Sequence, residues 1–297
     1  MDLSAIVLPD RDPPAVFLDD VRAAEAAGVR TVWTYDHLSW RDLRDGPWHA
    51  TVPLLAAAAV TTSTVRLGTL VANPNVRHPV TFAKDAMTLD ALSGGRLDLG
   101  VGAGGEGADA TVMGGRAWSA RERADRFEEW LGLLDSLLRQ PATTYDGVHY
   151  SATDARMLPG SVGRPRVPLT VAAAGPRALR LAARHAQAWV TYGPVGPDSD
   201  GADPEQWFAA IESQGARLAE ALAVERRDPT EVRRLVQIGL DTTWPVADAA
   251  AYDAFLARVA ALGTDEVVVH WPRADDGRGL SPAALGIVLA AHGLAAG

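Results

Sequence analysis

One stretch of the sequence, residues 36–40, places side chains suited to proton chemistry at the end of a predicted strand. His37 lies there, directly after the segment 30–35, whose β-branched and aromatic residues are typical of a strand. An imidazole changes charge near neutral pH, so His37 is a candidate general acid or base. Asp36 and His37 could equally be a helix-capping aspartate and a packing histidine. His270, at the end of the last predicted strand, is the competing candidate.

A glycine-rich segment at the end of another predicted strand indicates space for a ligand. A helix predicted to end at 93–95 is followed by a strand over 96–102, and this strand ends in small residues. Such an ending leaves room for a flat or bulky molecule at the carboxyl end of the strand, where parallel α/β folds bind ligands. Gly102 and Gly104 are the candidate contacts. The same glycines could also serve only to make a tight turn.

A third candidate site is the turn Ala174-Gly175-Pro176-Arg177, between a predicted strand and a predicted helix. The first backbone N–H groups of a helix have no partner within the helix, and its dipole favours anions at that end. The turn is therefore compatible with a phosphate group, and Arg177 could add a charge-assisted contact. An ordinary strand-to-helix turn has the same sequence features.

Composition excludes several classes of function. The net charge of −9 argues against nucleic acid and anionic membrane as partners. With no cysteine, disulfides and thiolate chemistry are excluded, and no metallohydrolase, nucleophile-elbow or phosphate-loop motif is present. No apolar run is long enough to span a bilayer and the N-terminus does not resemble a signal peptide, so we expect a cytoplasmic enzyme acting on a small molecule.

The elements that must position these residues alternate regularly along the chain. Eight strand-then-helix units are predicted from residue 4 to residue 291, interrupted only by residues 141–168, which contain an Asp-Gly hairpin signal. Such alternation predicts an α/β fold, a single (β/α)8 TIM barrel over residues 1–297 with an insertion between units four and five. A doubly wound open sheet is the alternative. In the helix after unit four, Ser119 and Glu122 predict a capping box, and three arginines are expected to face solvent or pair with nearby glutamates (Arg121, Arg123 and Arg126).

Four segments of the chain resemble matching segments of the bacterial-luciferase-like flavin and deazaflavin oxidoreductases. They are RLGTLVANPNVRHP, LDALSGGRLDLGVGAGG, VHYSATDARMLP and VAAAGPRALRLAARHAQAWVTYG. The resemblance implies a barrel whose mouth is covered by the ring of a flavin or deazaflavin. It also implies a non-proline cis peptide after the third strand, within Leu70, Val71, Ala72 and Asn73, that supports the ring; Leu70–Val71 is the best match.

The sequence DHLSW, residues 36–40, resembles the DH…W motif of the branch that uses coenzyme F420. The resemblance implies acid/base chemistry for His37 and places Asp36 and Trp40 close to the ring. It also implies a glutamate after the glycines of the fourth strand, and Glu106 falls one residue beyond that position. Family phosphate contacts match Gly175, Arg177 and Thr191, although Gln187-Ala188 replaces the usual Asp-Gly before the last of these.

The DH…W motif favours coenzyme F420 as the cofactor, with hydride transfer to or from a small organic substrate. FMN-dependent oxygenation by reduced flavin and oxygen is the alternative. A barrel without cofactor, acting as a subunit or binding protein, and a cofactor-independent hydrolase are further alternatives. The resemblance and the alanine-rich helices after the second and third strands predict a homodimer. The segments that would select the substrate are 43–48, 107–118 and 195–203.

Overall fold

The computed structural model describes residues 1–163, 165–195, 203–273 and 279–295. Eight parallel strands close into a barrel in chain order, with the first strand paired to the last. This confirms the predicted (β/α)8 barrel and shows that the open-sheet alternative is wrong. The barrel strands are β1 (Asp2–Ile6), β2 (Thr31–Thr34), β3 (Arg66–Ala72), β4 (Leu97–Val101), β7 (Leu169–Ala172), β8 (Ala188–Thr191), β9 (Arg233–Gln237) and β10 (Glu266–His270), and β5 (Ala142–Asp146) and β6 (Ser151–Arg156) lie outside it.

Helices follow the barrel strands, and local sequence sets where they begin. The predicted capping box is present, with Ser119 accepting from the Glu122 backbone and the Glu122 carboxylate accepting from Ser119. Aspartate or serine side chains also cap three later helices, at Asp203, Asp248 and Ser281. The helices are α1 (Ala15–Ala26), α2 (Thr51–Thr61), α3 (Pro79–Leu92), α4 (Ala120–Arg139), α5 (Pro176–His185), α6 (Pro204–Val224), α7 (Ala249–Ala261) and α8 (Pro282–Ala291).

The insertion between β4 and β7 contains the predicted hairpin. Strands β5 and β6 pair antiparallel, and the turn between them is held by the Glu129 carboxylate of α4. That carboxylate accepts the backbone N–H groups of His149 (3.0 Å) and Tyr150 (2.7 Å). The hairpin is therefore fastened to α4.

Apolar side chains form two layers of core. The larger layer lies between strands and helices and includes Phe82 and Trp130. A smaller cluster contains Trp33, Tyr35 and Leu70 from strands and strand ends, and Trp40, Trp48 and Val71 pack on it. The second cluster thus supports residues that follow the strands. In the part of the chain that the structure describes, no helix is long and apolar enough to cross a membrane.

Candidate functional site at the mouth of the barrel

The loop after β2 brings His37 to the carboxyl end of the barrel. Its Nδ1 lies 2.7 Å from Oδ2 of Asp109. The His37 side chain is 29% exposed, whereas that of Asp109 is 6% exposed, so the ring reaches the surface of the mouth and its partner is buried. The backbone oxygen of His37 accepts a hydrogen bond from Trp48 Nε1 (2.9 Å). These contacts hold both the imidazole and its backbone.

Aromatic side chains form a wall beside His37. The ring centroids of Tyr35 and Trp40 are 5.1 Å apart, and Trp40 stacks on Trp48 at 6.0 Å. The imidazole centroid lies 6.1 Å from Tyr35, 6.5 Å from Trp40 and 6.4 Å from Trp48. His37 therefore has a polar partner on one side and an apolar wall on another, a setting that excludes water from part of the ring.

Below this wall, Tyr35, His270 and Gln237 form a buried hydrogen-bonded cluster. The Tyr35 hydroxyl accepts a hydrogen bond from Gln237 Nε2 (2.9 Å) and is hydrogen-bonded to Nε2 of His270 (2.8 Å). Burial lowers the pKa of His270 to about 3 and raises the pKa of the Tyr35 hydroxyl above its ordinary value. His270 is therefore neutral at ordinary pH and hydrogen-bonded inside the barrel, which makes it a poor proton donor to substrate.

Asp36, next to His37, is bound to an arginine from the loop after β3. Its two carboxylate oxygens accept from Arg77 Nη2 (2.6 Å) and Nε (2.9 Å), and the Asp36 side chain is only 2% exposed. The hydrogen bonds from this carboxylate raise the pKa of the Arg77 guanidinium further. Arg77 is fixed in turn, because its backbone oxygen accepts from Trp130 of α4 (2.8 Å). Asp36 thus ties the loops after β2 and β3 together.

The end of β3 has the geometry that the resemblance implied. The Leu70–Val71 peptide is cis, which agrees with the predicted position. The register between β3 and β4 shifts between Thr69 and Ala72. A Cβ added at Gly102 would lie 2.7 Å from Val71 Cγ2, so a side chain at this position would displace that of Val71.

The next residues close the same edge of the mouth. Asn73 is buried, and its Oδ1 accepts from the backbone N–H of Asn75 (3.0 Å). Gly104 has a φ of +76°, and a Cβ there would lie 2.9 Å from Asn75 Nδ2 and 3.0 Å from Asn73 Oδ1. Both the left-handed backbone and the close approach therefore require glycine at this position.

The turn into α5 is open. Ala174 is half-buried, Gly175 is exposed, and Pro176 occupies the first turn of the helix. Among the described residues, no side chain caps this helix. A Cβ added at Gly175 would meet no atom within 4 Å. This end of α5 is therefore exposed, and the first N–H groups of a helix, which have no partner within the helix, suit an anion.

The two polar side chains predicted to contact the cofactor phosphate, those of Arg177 and Thr191, have partners within the protein. Arg177 pairs with Asp125 (2.5 Å) and Glu128 (2.8 Å), both on α4. The hydroxyl of Thr191 is buried and donates to the amide oxygen of Gln214 on α6. A phosphate contact from Arg177 would require the guanidinium to leave at least one of these carboxylates.

The family model for luciferase-like monooxygenases matches residues 3–278. The chain belongs to this family. An eight-stranded barrel, a cis peptide after β3 and the glycine-lined edge of β4 thus occur together in a member of the luciferase-like monooxygenases.

Curated relatives are up to 43% identical to segments of this luciferase-like protein. An F420-dependent glucose-6-phosphate dehydrogenase from Beutenbergia cavernae is 43% identical over 166 residues, which are 54% of this chain and 47% of that protein. The enzyme of the same name from Microbacterium testaceum is 31% identical over 87% of this chain and 74% of its own length. An F420-dependent hydroxymycolic acid dehydrogenase from Mycobacterium tuberculosis is 33% identical over 73% of this chain and 66% of that protein.

Solved structures share the fold at lower identity. The coenzyme F420-dependent tetrahydromethanopterin reductase from Methanopyrus kandleri has a TM-score of 0.73 at 19% identity, covering 97% of this chain and 96% of that one. An F420-dependent secondary alcohol dehydrogenase has a TM-score of 0.76 at 17% identity, covering 91% of this chain and 92% of that one. The shared fold therefore extends over most of this luciferase-like protein.

Glu106, the predicted acid after the glycines, lies on the surface. Its side chain is 71% exposed and pairs with Arg123 Nη1 (2.8 Å). The acid from the same loop that contacts His37 is Asp109, three residues later. To act as the predicted acid, Glu106 would have to break its ion pair with Arg123.

The prediction for the arginines of α4 is wrong for Arg123, which pairs with Glu106, and for Arg126. The Nε of Arg126 donates to the Tyr150 hydroxyl (2.9 Å), and its Nη atoms reach Asn75 Oδ1 (3.3 Å) and the backbone oxygen of Pro74. The hairpin and the loop after β3 cover this face of α4 and supply acceptors there, so Arg126 supports the mouth and is not part of a solvated surface.

Several residues of the site carry no local sequence signal. Asp109 and His37 are 72 residues apart, and Tyr35 and His270 are 235 apart, so only the closed barrel brings each pair together. Trp48 could have been suspected as a bulky aromatic residue in the segment 43–48, which was expected to influence substrate choice. The predicted loop 195–203 lies largely outside the described residues.

Proposed function

We propose that this protein is an F420-dependent oxidoreductase that transfers hydride to or from a small organic substrate, with His37 as the group that moves the accompanying proton. The observation that carries this proposal is the placement of His37 at the mouth, held by the buried Asp109 and flanked by the aromatic wall of Tyr35, Trp40 and Trp48. The relatives named F420-dependent dehydrogenases support the choice of cofactor.

The residues at the mouth fit a flat ring with a phosphate-bearing tail. Leu70 and Val71 present the cis peptide on one side, and Gly102 and Gly104 leave no side chains at the adjacent edge. The uncapped start of α5 at Gly175 offers backbone donors for phosphate. When bound, a deazaflavin supplies a ring carbon that exchanges hydride with the substrate.

His37 would transfer the proton that must move together with the hydride. An alcohol that loses hydride must also lose its hydroxyl proton, and a carbonyl that gains hydride must gain a proton. Because Nδ1 of His37 faces Asp109, Nε2 is the atom available to the substrate. The neutral His270 and Tyr35 below it present no charge, so the proton exchanges at His37.

FMN-dependent oxygenation is the second candidate, favoured by the description of the family as monooxygenases. It would use the same mouth but would need oxygen as a co-substrate. Absence of oxygen therefore separates the two candidates: hydride exchange with F420 continues under argon, whereas oxygenation stops.

The test of the proposal is F420 turnover with a panel of alcohols and carbonyl compounds under argon, in the wild type and in His37→Ala. We expect His37→Ala to lower kcat by at least about a hundred-fold with cofactor affinity within a few-fold of wild type. The wild-type pH–rate profile should have a limb that the variant lacks. Normal turnover in His37→Ala, or a matching loss in His270→Ala alone, would show that the proton is handled elsewhere.

We further propose that the protein is a cytoplasmic homodimer. The resemblance to the family supports this, as do the alanine-rich helices α2 and α3, where Val60 is 64% exposed and Leu92 is 45% exposed. Light scattering at micromolar concentration should give twice the mass of the chain. A monomer mass would contradict the proposal.

A further inference from the structure

We propose that Asp109 is the positioning residue for His37: it holds the imidazole with its proton on Nδ1 and leaves the Nε2 lone pair directed to the substrate. The catalytic consequence rests on the proposed function, but the positioning itself is a property of the free protein. Asp109 lies outside the DH…W motif and three residues beyond Glu106.

The chemistry of the contact fixes the tautomer. An ionised carboxylate can only accept hydrogen bonds, so the 2.7 Å contact between Asp109 Oδ2 and His37 Nδ1 requires a hydrogen on Nδ1. In the neutral ring the other nitrogen, Nε2, then carries the lone pair. This is the form that can take a proton from an alcohol without first rearranging.

The same carboxylate also holds the backbone. Leu38 N–H donates to Asp109 Oδ1 (3.2 Å) and lies 3.3 Å from Oδ2. One side chain therefore fixes the ring and the peptide that follows it. Such double attachment limits rotation of His37 about its side-chain bonds, which keeps Nε2 at the mouth.

Burial shows that the loop is organised around this contact. Between residues 103 and 119, all of which the structure describes, Asp109 is the one buried residue. It lies in the short 3-10 turn Ala108–Ala110. A carboxylate is costly to bury without partners, and its polar contacts in the described chain are His37 and Leu38. The loop therefore folds inward at the point where His37 needs an acceptor.

The competing acid of the loop faces elsewhere. Glu106 is 71% exposed and pairs with Arg123, and Asp36 is occupied by Arg77. Within the described ranges, Asp109 is thus the carboxylate that reaches the imidazole.

The direct test is ¹⁵N NMR of the His37 ring in the free protein, at a pH where the ring is neutral, comparing wild type with Asp109→Asn. We expect the wild-type proton on Nδ1. We expect Asp109→Asn to shift it towards Nε2, because an amide can offer either an acceptor or a donor to Nδ1. Asn keeps an oxygen for Leu38 N–H, so the fold should persist. An Nε2–H ring in the wild type, or an unchanged ring in the variant, would overturn the inference.

A matched control comes from the opposite end of the barrel. Asp90 is also buried, and its carboxylate accepts a backbone N–H, that of Val162 (2.7 Å). Asp90→Asn removes the same charge near the start of β4, so it should leave the His37 ring signals unchanged. If Asp90→Asn altered the ring as much as Asp109→Asn, the effect would be a general loss of structure and the inference would fail.

Turnover with F420 provides the second readout through a double-mutant cycle. We expect Asp109→Asn to lower kcat by about ten- to a hundred-fold with cofactor affinity within about three-fold, since loss of the aspartate behind a catalytic histidine can cost as much as 10⁴-fold. In the His37→Ala background the same change should have no further effect on kcat. Additive losses would contradict action through His37. Absence of F420 turnover in the wild type would refute the proposed function alone, because the NMR result stands independently.

Discussion

At the scale of single residues, two histidines near the mouth differ in exposure and in their hydrogen-bond partners. His37 is part-exposed and bound to a carboxylate, whereas His270 is buried against Tyr35 and has a pKa lowered to about 3 by burial. The sequence alone could not separate them, since both follow predicted strands. The structure favours His37 because a proton can enter and leave its ring without opening the barrel.

The low pKa of His270 predicts a pH dependence of stability. In the unfolded chain its ring takes up a proton as the pH falls through about 6.5, while in the folded protein it does not until about 3. The folded state thus loses stability as pH falls between these values. We expect the difference in unfolding free energy between wild type and His270→Asn to shrink from pH 7 to pH 4. Urea unfolding at each pH measures it, with His78→Asn on the surface as the control. A difference that stays constant or grows would show that His270 is protonated in the folded protein.

How much of the site could be predicted depends on where each residue lies relative to a strand. His37, Trp40, Gly102 and the cis peptide adjoin strand ends, whose positions follow from periodicity and from the resemblance. Asp109 lies in a loop without hydrophobic periodicity, so its burial emerges only when the chain is folded. Glu106 is the opposite case: its residue type and position match the expected glutamate closely, but its side chain pairs with Arg123.

At the scale of elements, the start of α5 is the part of the site that can be altered with least disturbance. Gly175 has a φ of −81°, open to any residue, and an added Cβ would meet nothing within 4 Å. We therefore expect Gly175→Val to leave the unfolding free energy within about 0.5 kcal/mol of wild type and to weaken F420 binding at least about ten-fold by filling the space beside the helix N-terminus. Fluorescence titration measures the affinity.

Gly286 of α8 offers the control for this experiment, because a Cβ there also meets no atom within 4 Å. Gly286→Ala should bind F420 like wild type. Arg177→Ala distinguishes side chain from backbone: a larger loss there than in Gly175→Val would show that Arg177 leaves Asp125 and Glu128 to bind the phosphate.

The packing of α4 against the segment before β7 depends on one buried ion pair. Asp135 accepts from Arg166, whose side chain is only 1% exposed, and from His185 (3.4 Å). Despite burial, which by itself would raise it, the pKa of Asp135 lies well below its ordinary value because His185 and Arg166 hydrogen-bond and attract the carboxylate. This carboxylate therefore stabilises the fold above about pH 3.8 and loses its effect as the pH falls further.

Removing that charge should be costly, because Arg166 would remain buried without its partner. We expect Asp135→Asn to lower the unfolding free energy by about 3–5 kcal/mol at pH 7, and by less at pH 3. Chemical denaturation at both values checks this. A loss below about 1 kcal/mol at pH 7 would mean that the hydrogen bonds of Arg166 to backbone oxygens suffice.

The elements themselves were predictable to within a few residues. Alternation of apolar strands and helices fixes the eightfold order, and the Asp-Gly turn fixes the hairpin. Strand ends are harder to predict: the apolar pattern continues to Leu240, whereas β9 ends at Gln237, where its paired register with β10 stops. Beyond that point Ile238 still donates its backbone N–H to Val268 of β10, and Ile238 and Leu240 are buried. Composition alone therefore extends the strand too far.

At the scale of the whole molecule, closure of the sheet turns eight separate strand ends into one mouth. The interior cluster around Trp33 and Leu70 supports the aromatic wall from below, while the hairpin and α4 brace the loop after β3 from outside. The fold could be predicted because alternation is a property of the entire chain. The substrate could not, since the loops 43–48 and 107–118 carry no repeating pattern.

The central claim is that this mouth binds coenzyme F420 in preference to FMN, and equilibrium titration of the purified protein with each cofactor tests it most directly. Fluorescence quenching of F420 and of FMN, measured in the same buffer, gives two dissociation constants. The structure and the relatives lead us to expect a Kd for F420 at least about ten-fold below that for FMN, a difference of about 1.4 kcal/mol or more. Tighter binding of FMN than of F420 would contradict the account.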